Sequence, residues 1–339
     1  MLPSEPKLYT SDQVPEHFRE SFIFSGYRSP CSSSIQCVLS IFQLTNETLN
    51  IWTHLIPAVY FGWTVVAFWQ SLDAAALPYM APLVVYMATV CMFPLASMLA
   101  HVFNAMSVKA RHVCFFVDYW ALSLYGFGSA FAFRAYSFTR SQLDSPYVDA
   151  YLPVAAFVSS GSLLVSCRTR LMKRGWRRKV VRFASFAIPY FFNVMPLLYR
   201  LAVEDGAGKI SREADYFHAR QFVFAFLSAF LYCSHIPERL FPGRFDIIGH
   251  SHQLFHVVSA IGSHDALLAL IQDSAAGQPP SSLSLSVHLL LTAVVLVVNS
   301  VVVLYYVNYL DYTYRPPAVG STSGSYKTDD SCTDENHEN

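Results

Sequence analysis

The chain has 339 residues, of which 53% are hydrophobic, 15% aromatic and only 14% charged, a profile that excludes an ordinary soluble domain and points to a membrane protein. With 23 basic and 23 acidic residues the formal net charge is zero. Nothing in the overall balance recruits nucleic acid, so any electrostatic preference lies in how the charges are distributed.

The first 30 residues are polar, carry both signs of charge and lack the apolar core of a signal peptide, so insertion is expected to start from the first internal hydrophobic segment. Residues 1–50 are expected to form a cytoplasmic N-terminal segment, in which Ile35, Val38, Leu39 and Phe42 recur at helical spacing and predict a short amphipathic helix on the inner membrane surface. From residue 51 onward, about 20 apolar residues per helical crossing predict eight spans: 51–70, 80–103, 112–134, 147–167, 182–203, 216–236, 250–271 and 284–310. The expected fold is an all-α, polytopic membrane helix bundle, with a seven-helix core over 51–271. A connecting loop and an eighth, C-terminal transmembrane helix fill 272–310. Residues 311–339 are acidic and rich in Pro, Gly and Ser, the composition of a disordered cytoplasmic tail. The seven cysteines are scattered without a CxxC pair, so no disulfide framework is expected.

Orientation follows from Lys and Arg in the connections, because the cytoplasmic side carries the excess. Between spans four and five stand Arg168, Arg170, Lys173, Arg174, Arg177, Arg178 and Lys179, whereas the loops after spans one and seven hold no Lys or Arg. This parity places the N-terminus in the cytoplasm. Asn46-Glu47-Thr48 matches a glycosylation acceptor, but on that side it would not meet the modifying enzyme.

Ionisable side chains inside spans are expensive and mark sites or partners. With the orientation fixed by Lys and Arg alone, His54 falls near the inner end of span one, Ser97 and His101 near the inner end of span two, and Asp118 early in span three. His252 and His256 fall early in span seven and share one helical face. All lie in the same leaflet. His101, His252 and His256 are therefore candidate ligands of Zn2+, since neutral imidazoles suit zinc and three protein ligands leave a fourth position for water. Asp118 and Ser97 are the candidate catalytic groups, the carboxylate hydrogen-bonding that water and the serine lining the cavity. The competing reading is a cluster of interhelical hydrogen bonds. It is favoured for His54, with Asn50 as its packing partner. His250 is expected to be solvated at the interface, His235 to cap span six or approach His252, and Glu238 with Arg239 to form an interfacial ion pair.

These residues carry a resemblance. NETLNIWTH (46–54), SMLAH (97–101), the aspartate of FFVDY at Asp118 and SHQLFH (251–256) resemble, in order, the motifs of the progestin and adipoQ receptor family. SHIPERLFPGRFDIIGHSHQLFH (234–256) is similar to the membrane progestin receptor branch, its gamma type in particular. The resemblance implies Zn2+ on His101, His252 and His256, Asp118 acting through water and Ser97 beside it. It also implies a cell-membrane receptor for progestin-type steroids (progesterone) or another lipid ligand, surrounded by membrane lipids and signalling to a heterotrimeric G protein or other cytoplasmic partner. A distant likeness to alkaline ceramidases implies the alternative, a zinc-dependent lipid amidohydrolase with Asp118 as general base. A third reading is a zinc ion that only straps the helices together.

Overall fold

A computed structural model describes residues 7–203, 211–276 and 285–313. Each predicted span becomes one long helix: α1 Thr48–Ser71, α2 Leu77–Phe103, α3 Val108–Tyr136, α4 Tyr147–Arg170, α5 Trp176–Val203, α6 Arg212–Ser234, α7 Ser251–Ala275 and α8 Leu285–Thr313. Among the described residues the only β feature is an isolated bridge between Tyr9 and Tyr27. The predicted tail, from residue 314 on, lies outside the described residues. The basic stretch 168–179 proves to be largely the two helix ends, with Arg168 and Arg170 on the last turn of α4 and Arg177, Arg178 and Lys179 on the first turns of α5.

Among the described residues six helices, α1, α2, α4, α5, α7 and α8, are long and apolar enough to cross a membrane. Their outward faces are apolar too: Trp63 and Val66 on α1 and Leu290, Val297 and Leu304 on α8 are all exposed. Faces of that kind on several helices suit lipid and not water, and the protein is a multi-pass membrane protein. Helices α3 and α6 are as long but less hydropathic, with Tyr, Trp, Ser and Gly scattered through α3. Their position explains the difference for α3, which packs against α2, α4, α5, α7 and α8 and finds partners for its polar groups there. Ser123 Oγ, for example, donates to the Ser159 carbonyl (2.7 Å) and accepts from Asn299 Nδ2 (3.0 Å).

From α1 to α7, neighbours in sequence pack against one another, α7 returns to α1 and α2, and α8 lies against α3 and α4. The main core joins Phe61, Tyr86, Met87, Phe93, Phe133 and Leu267. Gly128 permits close approach of α2 and α3, since a Cβ there would run into the Thr89 hydroxyl.

At one end of the bundle the N-terminal segment ties several connections together. Val14, Phe18, Ile23 and Tyr27 bury with Val108 at the start of α3. Arg111 pairs with Glu20, Arg174 donates to the carbonyls of Glu16 (2.7 Å) and Arg19 (3.0 Å), and Ser25 Oγ donates to Asp246 Oδ2 (2.8 Å). The short helix predicted in this segment forms over Ser34–Leu39, closed by a capping box between Ser33 and Gln36. Its Cys37 is buried while Ile35, Val38, Leu39 and the following Phe42 are exposed, the apolar face an interfacial helix presents. Cys37, Cys91, Cys114, Cys167 and Cys233 are free. Cys31 is disulfide-bonded, a bond that the scattered cysteine spacing did not lead one to expect.

The opposite end holds a charge network that periodicity does not reveal. Arg200 of α5 donates to both carboxylate oxygens of Asp273 on α7 (2.9 and 3.0 Å), to which Ser137 Oγ also donates (2.6 Å). His218 of α6 lies 2.9 Å from Asp273 Oδ2 and Asp215 2.8 Å from Arg200. Arg200, His218 and Asp273 are all buried, so removing one member strands the others' charge in a low-dielectric interior. Asp273→Ala is expected to destabilise the bundle by about 3–5 kcal/mol, read as a lower thermal midpoint in detergent, with Asp273→Asn losing less.

Candidate metal centre

The N-terminal end of α7 is built for precision. Gly249, at φ +87°, turns the chain so that His250 becomes the N-cap residue. The buried Glu238 carboxylate then accepts from the Ser251 backbone N–H (2.7 Å) and from Ser251 Oγ, an acid at a helix N-terminus where the dipole favours it. Gln253 completes the anchor, accepting from Gly249 N (2.6 Å) and donating to the Ile247 carbonyl (2.8 Å). His252 and His256 follow on the first two turns and face the last turn of α2, where His101 sits two residues before the helix ends.

The imidazoles of His101, His252 and His256 meet there, each offering one ligand nitrogen, all within 4.8 Å of one another. His101 and His256 are buried and His252 nearly so. Two hydrogen bonds decide which nitrogens face inward. His101 Nδ1–H donates to Glu47 Oε2 (2.7 Å), because an ionised carboxylate only accepts. Thr53 Oγ1–H is committed to the Leu49 carbonyl, so the same oxygen accepts from His256 Nδ1–H (3.1 Å). Both rings therefore present an Nε2 lone pair to the centre.

The donor set fits zinc. Two nitrogens bound to a tetrahedral Zn2+ at about 2.05 Å stand about 3.3 Å apart, and His101 Nε2 lies 3.3 Å from His252 Nε2. In the absence of a cation an N–H on His252 could satisfy one of the inward lone pairs but not both.

The other predicted residues fall into distinct places. Ser97, buried on α2, and the partly buried Asp118 of α3 are neighbours, and Asp118 stays outside the three-histidine group, a position suited to a carboxylate acting through water. His54 does not join the ligands and does not bond Asn50. Its ring lies tilted against that of His256, with centroids 3.6 Å apart, and stands edge-on to Phe93. Asn50 instead donates to Glu47 Oε2 (2.8 Å). His250 is buried against the Asn46 carbonyl (3.2 Å) and not solvated. Glu238 serves as the α7 anchor, with His235 the nearer partner (3.8 Å), while Arg239 lies over the Phe22 ring. The expected Glu238–Arg239 pair is replaced by these contacts. His235 takes the C-cap position of α6 in the left-handed conformation, its backbone N–H donating to the Leu231 carbonyl, and its side chain turns to Glu238. The glycosylation acceptor Asn46 is buried, its N–H bonded to the Gly26 carbonyl. Sequence reasoning missed the buried Arg28 and Asn104, whose only sequence signal is their place at the ends of apolar runs.

The family model described as haemolysin-III related matches residues 42–265, which contain every residue of the site. Membrane progestin receptor gamma-B of Danio rerio is 44% identical over 284 residues, covering 79% of this chain and 82% of that protein. Membrane progestin receptor delta of Mus musculus is 46% identical over 272 residues, covering 79% of each chain. Membrane progestin receptor beta of Homo sapiens is 31% identical over 279 residues, covering 80% of this chain and 77% of that protein. The gamma and delta relatives are alike in identity, so both bear equally on the site. An all-helical membrane bundle, four family motifs folded onto one another and relatives that match along four-fifths of its length place this chain in the haemolysin-III related family, among the progestin and adipoQ receptors.

Proposed function

We propose that the protein is a cell-membrane receptor for steroids of the progestin type, with Zn2+ held by His101, His252 and His256 in the cytoplasmic half of the bundle. The relation to membrane progestin receptors over four-fifths of the chain carries the receptor reading, and the convergence of three histidines from α2 and α7 carries the metal. Eight membrane helices, seven in the core and one outside, fit the length of α3 and α6 and their place among apolar neighbours. The basic ends of α4 and α5 lie at the same end as the N-terminal segment, and the positive-inside rule puts that end in the cytoplasm. A heterotrimeric G protein or another cytoplasmic partner would meet this face, together with anionic headgroups of the surrounding lipids.

A second reading, a ceramidase-like amidohydrolase, is favoured by one observation: the Asp118 carboxylate, with Ser97 near it, lies within electrostatic range of His101 but outside the three-histidine group. Bound Zn2+ would supply Lewis acidity, polarising an amide carbonyl and easing deprotonation of water. Asp118 would accept the proton at a carboxylate oxygen while Ser97 holds that carboxylate in place. The apolar bundle around them would exclude bulk water and strengthen both interactions. The two readings are compatible if ligand alters turnover.

Purified wild-type protein is expected to bind a radiolabelled progestin saturably, and absence of such binding by folded protein would remove the receptor reading. His252→Ala is expected to lose bound zinc, measured by elemental analysis of the purified protein. In the enzymatic reading Asp118→Asn should lower ceramide hydrolysis by about 10²–10⁴-fold with zinc content unchanged; undiminished turnover in that variant would exclude Asp118 as the base.

A further inference from the structure

Helix α1 supplies none of the three grouped histidines, yet it touches two of them at the nitrogen that faces away from the centre. Glu47, the residue before its first turn, accepts from His101 Nδ1 (2.7 Å), and Thr53, nearly two turns later, accepts from His256 Nδ1 (3.1 Å). Glu47 is itself buried and held on all sides. Its Oε2 also accepts from Asn50 Nδ2 (2.8 Å), and its Oε1 accepts from Asn104 Nδ2 (2.7 Å). Asn104 is fixed in turn by Arg28 of the N-terminal segment, whose guanidinium donates to Asn104 Oδ1 (2.7 Å), to the carbonyls of His101 (2.6 Å) and Val102 (2.7 Å), and to Ser40 Oγ (2.9 Å).

This arrangement spends a great deal of buried polarity. A carboxylate and a guanidinium, each less than a tenth exposed, are taken out of water and then satisfied almost wholly by one another's neighbours and by the end of α2. Such desolvation is steep unless every lone pair and proton is used. A helix-end lock alone would need only the Arg28 contacts to the two carbonyls, which leave the α2 terminus capped. The carboxylate aimed at Nδ1 of an imidazole whose other nitrogen faces two more imidazoles has a narrower use. It fixes tautomer and ring orientation and raises the donor strength of Nε2.

We infer that Glu47 and Thr53 are positioning residues of the metal centre, setting His101 and His256 with Nε2 toward the ion, and that Arg28 makes the N-terminal segment part of this support. The inference rests on the zinc reading above and extends it from the ligands to the residues that orient them. Four residues of the first sequence block, NETLNIWTH, then have a role at the site. Glu47 orients one histidine, Asn50 holds Glu47, Thr53 orients a second and His54 packs against that second ring. The segment before α1 likewise becomes a component of the site and not a mere leader to the first span.

The test is zinc affinity of the purified, folded full-length protein, measured by competition with a chromophoric chelator, with cobalt substitution as a spectroscopic readout. Glu47→Gln, which keeps size but weakens the acceptor, is expected to lower zinc affinity about 10–100-fold and to shift the cobalt absorption bands. Thr53→Val is expected to weaken affinity several-fold, and Arg28→Ala to weaken it in the same direction as Glu47→Gln. A loss of fold alone would not move the cobalt bands of protein that remains monodisperse. Folded Glu47→Gln protein with wild-type affinity and an unshifted cobalt spectrum would overturn the inference. Should Glu47→Gln fail to fold, Thr53→Val decides, because it removes no charge, and wild-type affinity there overturns the role of α1. A wild-type protein that binds no zinc at all would instead refute the zinc reading itself, so the two failures are distinguishable.

Discussion

Three imidazoles gathered in an apolar bundle, two of them with their protons pinned outward, impose the constraint around which the rest of the site is arranged. Lone pairs that converge without a shared proton or cation are unsatisfied polarity in a place where water is scarce, and unsatisfied polarity there is costly. A divalent ion resolves the arrangement in one step. Everything nearby serves to keep the rings in that geometry: Glu238 and Gln253 hold the start of α7, Arg28 holds the end of α2, and α1 holds the outward nitrogens.

The bundle also separates two kinds of buried polarity. At the N-terminal end, polar groups point at a common centre, with Ser97 and Asp118 displaced to one side. At the far end, Arg200, His218 and Asp273 saturate one another and join α5, α6 and α7. The first leaves lone pairs available for a ligand, while the second leaves Asp273 surrounded by donors. That contrast in satisfaction, more than the presence of histidine in either, distinguishes a site from a structural tie.

Much of this was legible in the sequence because it is periodic. Apolar length marked all eight helices, and the positions of Lys and Arg were enough to bring His101, Asp118, His252 and His256 to one depth before any contact was known. The i, i+4 spacing of His252 and His256 fixed their common face. What escaped depends on chain segments that meet from far apart without a repeat. Arg28 and Asn104 are separated by a long stretch of mostly helical chain, and nothing in either neighbourhood announces the other. Glu238 looked like half of an ion pair with its neighbour Arg239, yet the fold turns it toward Ser251. His250 looked solvated because it sits at a helix boundary, but the N-terminal segment covers it.

The most direct measurement is the zinc K-edge X-ray absorption spectrum of intact, detergent-purified protein. The account requires about one zinc per chain with a light-atom shell near 2.0–2.1 Å and the outer-shell scattering characteristic of several imidazoles. A spectrum with sulfur in the inner shell, or a preparation with intact fold and no metal edge, would contradict it.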